Sequence, residues 1–190
     1  MILTGNKEYY KGIDAIQYEG KDSDNPLAFK YYDPTRVVAG KTMREHFKFA
    51  IAYWHTFCGQ GSDPFGPGTQ NFEWDKASNP IQAAKDKADA AFEFITKIGA
   101  PYYCFHDVDA IDGHNDPKEF GDRVKFITDI FAKKQAESGV KLLWGTANLF
   151  SNERYMNGAS TNPNFEVVAH AGAQLKGAIE QEPLFEMHIK

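Results

Sequence analysis

An α/β fold of consecutive strand-helix units is what the sequence predicts, on three observations. Helix starts marked by proline recur three times, each helix follows a short run that is apolar throughout, and turn residues separate run from helix. The starts are Asn79-Pro80, Asp116-Pro117 and Asn162-Pro163. In each a polar cap precedes proline at the first helical position, where its missing N–H has no intrahelical partner to lose.

Residues 1–45 come first, rich in Lys, Asp, Tyr and Gly, and read as a surface extension with no helix before a short one over 41–49. Phe47 to Trp54 is the first apolar run, and the 59–68 stretch GQGSDPFGPG that follows is turn chemistry throughout, predicting a long loop. The first helix carries Ile81, Ala84, Ala88, Phe92, Ile95 and Ile98 at spacings of three and four, and Gly99 stops it. Tyr102 to Phe105 is the second strand. The helix after Asp116 has Glu119 at the capping-box position, a stripe of Phe120, Val124, Ile127 and Phe131, and Gly139 as its stop. Val140 to Thr146 is the third strand, and the last stripe reads Phe165, Val168, Gly172, Leu175 and Ile179. Strands apolar on both faces belong in a parallel sheet covered on both sides, which an open doubly wound sheet and a closed barrel both satisfy. Neither G-x-G-x-x-G nor G-K-[ST] follows the first strand, so the nucleotide-binding open sheet has no support. The expected architecture is a partial TIM-type (β/α)₈ barrel: three βα units over 46–180, preceded by the 1–45 extension and followed by a 181–190 tail.

Composition narrows the function classes. With 42% hydrophobic and 25% charged residues the chain can bury a core, and its net charge of −5 comes with no Lys/Arg cluster. Nucleic acid and anionic membrane are therefore not expected partners. No run approaches a membrane span, residues 1–11 lack the apolar segment of a secretory leader, and Cys58 and Cys104 are isolated thiols, so a reducing cytoplasmic location is expected.

In a barrel, reactive groups gather at the C-terminal strand ends, here Trp54-His55, His106 to Asp109, and Thr146 to Phe150. Cys104 and His106 share a strand face, and a turn through Asp107-Val108-Asp109 can return Asp109 to the imidazole. A carboxylate on one ring nitrogen sets the tautomer and leaves the other to exchange a proton with substrate, although a structural His-Asp pair has the same pattern. Trp54, Phe150 and Trp144 are either core or the apolar wall of a pocket, and position at strand ends favours the wall for Trp54 and Phe150. His46, His55, His114, His170 and His188 match no zinc spacing. Asp107, Asp109, Asp112 and Asp116 lack the Gly and Glu of a calcium loop and are expected as a solvated acidic loop.

Four stretches together carry a resemblance: NPLAFKYYDP, YWHTFCGQGSDPFGPGT, PYYCFHDVDA and LLWGTANLFSNERYMNGASTNPNF. In this order they resemble xylose isomerases of the longer bacterial and fungal type, from about Gly12 to Glu180. The resemblance implies a sugar isomerase in which a His-Asp pair opens the pyranose ring and two divalent cations (Mg²⁺, Mn²⁺ or Co²⁺) support a hydride shift between C2 and C1. It implies His106 as the ring-opening histidine and Asp109 as its orienting partner. Trp54 and Phe150 match the aromatic wall, with Thr146 beside them, and Phe65 matches a residue inserted into the site of a neighbouring subunit of a homotetramer. Ala110 departs from a larger aliphatic in the family. The 181–190 stretch QEPLFEMHIK departs from the fourth strand, and the metal ligands and catalytic lysine fall beyond the matching region, so no metal ligand is expected here. A truncated isomerase that is inactive alone is the leading expectation. The alternatives are a short non-catalytic protein that binds sugar or assembles with full-length subunits, and an endonuclease-like or epimerase-like barrel that fold alone would permit.

Overall fold

The structure, a computed structural model, describes residues 1–113 and 115–181; His114, His188 and the rest of the 182–190 tail lie outside the described residues. In chain order it holds a small hairpin of β1 (Val37–Val38) and β2 (Lys41–Thr42), the one-turn helix α1 (Met43–His46) and strand β3 (Ala50–Ala52). Helix α2 (Pro80–Ile98), strand β4 (Tyr102–His106), the one-turn helix α3 (Asp107–Ala110), helix α4 (Pro117–Ser138), strand β5 (Lys141–Thr146) and helix α5 (Phe165–Gln181) follow. β3, β4 and β5 form one parallel sheet in sequential order, so the chain is α/β as expected. Its outer strands each leave one edge unpaired among the described residues.

Two helices begin and end where their local chemistry dictates. Asn79 accepts the Gln82 N–H at 2.9 Å and Gly99 closes α2 at φ 73°, a left-handed conformation that other residues adopt only with strain. Asp116 accepts from the N–H groups of Lys118 and Glu119, and Gly139 closes α4 in the same way at φ 76°. The Glu119 carboxylate accepts from Arg123 at 2.7 Å. Helix α1 is shorter than predicted: Thr42 and Glu45 form a reciprocal capping box, but Phe47 is already extended.

The first strand is also shorter, because Tyr53 leaves the sheet and Trp54–Cys58 winds into a π-helical turn. The helical turn brings Tyr53 and Phe57 together, both fully buried with ring centroids 4.9 Å apart, whereas an extended strand would hold residues four apart about 13 Å from each other. Between sheet and helices lies an aromatic core centred on Phe131, whose ring is 5.4–5.9 Å from those of Tyr53, Phe92, Tyr103 and Phe105.

Helix α5 departs from the reading in two ways. It starts at Phe165, not Pro163, because Asn162 spends its carboxamide on the Asn164 N–H in a turn around the proline, and Asn164 accepts the Glu166 N–H at 2.9 Å. Its predicted apolar stripe also faces outward: Phe165, Leu175 and Ile179 are exposed, while Ala171 and Gln174 are buried. The Gln174 carboxamide lies on the inward face, where it donates to a buried carboxylate, that of Asp107.

Residues 1–45 run over the surface and are tied to α2. The buried Glu93 carboxylate accepts the N–H groups of Tyr9 and Tyr10, and Lys97 donates to Glu93, Glu8 and the Tyr10 carbonyl.

Candidate active site

β4 ends at His106, and the chain turns at once through α3. That single turn returns Asp109 to the imidazole: Asp109 Oδ2 lies 2.8 Å from both the backbone N and Nδ1 of His106. A carboxylate can only accept, so the ring proton sits on Nδ1 and Nε2 is left as the nitrogen that exchanges protons. Both side chains are largely enclosed, with exposures of 16% and 10%. An enclosed, carboxylate-oriented imidazole is competent for general acid-base chemistry on a hydroxyl or ether oxygen.

Three aromatic rings surround the imidazole. Trp54 lies 4.8 Å away, Phe150 5.5 Å and Trp144 5.7 Å, all tilted steeply to its plane. Trp144 was legible only as core or wall, and a bulge decides the matter. Tyr103 pairs with Leu142 but Cys104 pairs with Trp144, so Leu143 is an extra residue and every later residue of β5 changes face. Trp144 thereby joins Cys104 and His106, with its ring 5.3 Å from Trp54. Gly145 falls opposite Phe105, where a Cβ would sit 3.7 Å from that ring. Thr146, the register partner of His106, is exposed beside it. Phe65 is elsewhere, 96% exposed on a tight turn in which Asp63 accepts the N–H groups of Phe65 and Gly66.

The acidic residues near the site are not one solvated loop. Asp107 is 2% exposed and accepts from Val108 N, Asn148 N and Gln174 Nε2, each at 2.8 Å, while Asp116 caps α4. Burial pushes the Asp107 carboxyl above its ordinary range against the pull of these donors. Sequence reading missed its partners Asn148 and Gln174. Asn148 left one signal, a side chain two residues before Phe150, as an Asx turn requires.

Remaining candidates do not assemble. Burial pushes the Cys104 thiol up to about 11 and also raises that of Cys58, so both are held as unreactive thiols. His46 bonds the Val38 carbonyl, His55 is exposed against Trp54, and His170 contacts the Arg154 guanidinium, burial and that cation keeping it below its ordinary range. Among the described residues no group of three or more His, Cys, Asp and Glu is placed to hold a metal ion. No helix among them is long and apolar enough to cross a membrane.

No protein-family model matches the chain. Among curated proteins it is 58% identical over 179 residues to xylose isomerase 2 of Xanthomonas campestris pv. campestris, 94% of this chain and 40% of that protein. It is 57% identical to xylose isomerase 1 of Xanthomonas axonopodis pv. citri, covering 94% and 41%, and 55% identical to a xylose isomerase of Xanthomonas oryzae pv. oryzae, covering 94% and 40%. The chain thus spans about 40% of the length of the curated relatives it matches.

Proposed function

The chain belongs with the xylose isomerases, as their N-terminal portion, and on that premise we propose that it supplies the ring-opening part of an aldose-ketose isomerase site acting on D-xylose, and by extension on glucose. The observation that carries the proposal is the His106-Asp109 pair, enclosed by Trp54, Trp144 and Phe150. Asp109 holds the proton on Nδ1 and stabilises the imidazolium that forms when Nε2 takes a proton from the anomeric hydroxyl of the pyranose. The same nitrogen then delivers that proton to the ring oxygen as the C1–O5 bond breaks, giving the open-chain aldehyde. The aromatic rings exclude water from the aldehyde and offer flat apolar surface to the C–H faces of the sugar.

In this reading Thr146 contacts the sugar at the strand end, and Phe65, carried outward on its turn, reaches the site of a neighbouring subunit in a homotetramer. The divalent cations implied by the family find no ligand set among the described residues. Three βα units of a (β/α)₈ barrel, with 1–45 as an extension, is the architecture this proposal requires.

The test is His106→Ala in a full-length isomerase carrying this segment. Isomerisation of the pyranose should fall by about 10²- to 10⁴-fold, the range for removing one acid-base group, with divalent-metal affinity unchanged in a direct binding titration. A parallel loss of metal affinity would mean that His106 has a different role.

A further inference from the structure

Phe150 presents a puzzle of its own: its side chain is 67% exposed, in a loop, yet its ring is held edge-on to the imidazole at 5.5 Å and 83°. Exposed aromatic side chains on loops have no packing reason to keep one orientation. Backbone hydrogen bonds supply it here. Asn148 Oδ1 accepts the N–H groups of Phe150 at 3.2 Å and Ser151 at 2.9 Å, and Asn148 itself is anchored from beneath through its own N–H to Asp107. Gln174 on α5 closes the ring of contacts, donating from Nε2 to Asp107 Oδ2 at 2.8 Å and to the Asn148 carbonyl at 3.1 Å, while its Oε1 accepts from the Tyr155 hydroxyl at 2.8 Å. Asp107, Asn148 and Gln174 are all 8% exposed or less.

We propose that Asp107, Asn148 and Gln174 form a buried clamp that positions Phe150 against His106, making Asp107 a positioning residue of the ring-opening site. The clamp joins the end of β4, the loop after β5 and the middle of α5. An isolated buried carboxylate is costly, and one that accepts three N–H donors gives in return a single arrangement of the groups around it, since any shift of the loop leaves a charge unpaired. Because Asp107 lies between His106 and Asp109, the charge that orders the loop is covalently fixed to the acid-base pair that the loop must cover. The inference rests on the reading of His106 as the ring-opening group only for its catalytic meaning; the geometry of the clamp is independent of it.

The experiment uses a full-length isomerase carrying this segment, labelled at histidine Cε1, with the His106 resonance assigned by its loss in His106→Gln. Phe150→Leu removes the ring current at the imidazole and sets the reference shift. Asp107→Asn and, separately, Asn148→Ala should each move the His106 resonance most of the way to that reference. Gln174→Met removes the donations to both Asp107 and the Asn148 carbonyl, and should shift the resonance in the same direction. An unmoved resonance in Asp107→Asn and Asn148→Ala overturns the clamp, as does a Phe150→Leu spectrum identical to that of the parent chain. Should Asp107→Asn not fold, Asn148→Ala decides alone, because it leaves all three donors to Asp107 in place. Failure of the catalytic reading would appear instead as full isomerase activity in His106→Ala, which leaves this spectroscopic result standing.

Discussion

Lys97 is almost fully buried, yet its ammonium donates to Glu93 and Glu8 at 2.8 Å each and to the Tyr10 carbonyl at 2.6 Å. Burial alone pulls a lysine pKa down, but the two carboxylates reverse that and hold it above the ordinary value. Glu93 is fully buried beneath it, so removing the cation leaves an uncompensated carboxylate in the interior. Lys97→Met should therefore cost about 3–5 kcal/mol, the range for breaking one side of a buried pair. The loss should appear as release of residues 1–20, read by limited proteolysis with mass mapping of the fragments. His106 is a contrasting case, since its partner is three residues away and its removal should affect chemistry more than folding.

Between elements, the docking of the extension on α2 is a pH-dependent contact. Burial raises the Glu93 carboxyl, but Lys97 and the N–H groups of Tyr9 and Tyr10 outweigh it and hold the pKa below its ordinary 4.5. A depressed carboxyl contributes stability that is present above the unfolded pKa and is lost as pH falls through the folded one. Asp107, raised by burial, has the opposite sign, and its protonation on acidification relieves a cost. Protection of the amides of residues 9–16 from hydrogen exchange should therefore fall as pH drops below about 4.5, before protection in α4 does. Equal loss of protection in both regions would show that the extension is not a separate unit. Helix α5 carries a second element-scale consequence, because Phe165, Leu175 and Ile179 form an outward apolar stripe. Leu175→Lys with Ile179→Lys should reduce self-association in light scattering while leaving helix content intact.

For the whole molecule, the sheet ends at β3 on one side and at β5 on the other with no further strand among the described residues, and open sheet edges recruit further strands. The purified chain should therefore associate at micromolar concentration, and the lysine pair on α5 should weaken that association without abolishing it. It should also show no conversion of xylose to xylulose in magnesium or manganese, because the described residues offer no ligand set for cations that stabilise a shifting hydride. Metal-stimulated turnover by the pure 21.4 kDa chain, free of full-length isomerase, would contradict this.

What could be read from the amino-acid sequence is what depends on near neighbours. Caps at Asn79 and Asp116, stops at Gly99 and Gly139, the stripes of α2 and α4, and the approach of Asp109 to His106 all involve partners within one or two turns of chain. The parallel order of the strands followed from their alternation with helices. Three outcomes were decided by the tertiary structure. Tyr53 ended its strand because the core accepted it together with Phe57, Trp144 reached the site through the Leu143 bulge, and α5 turned its apolar stripe outward. On the inward face of α5, Gln174 pairs with Asp107, 67 residues away in sequence, since a buried carboxylate must be paired wherever its partner lies and periodicity carries no trace of that demand.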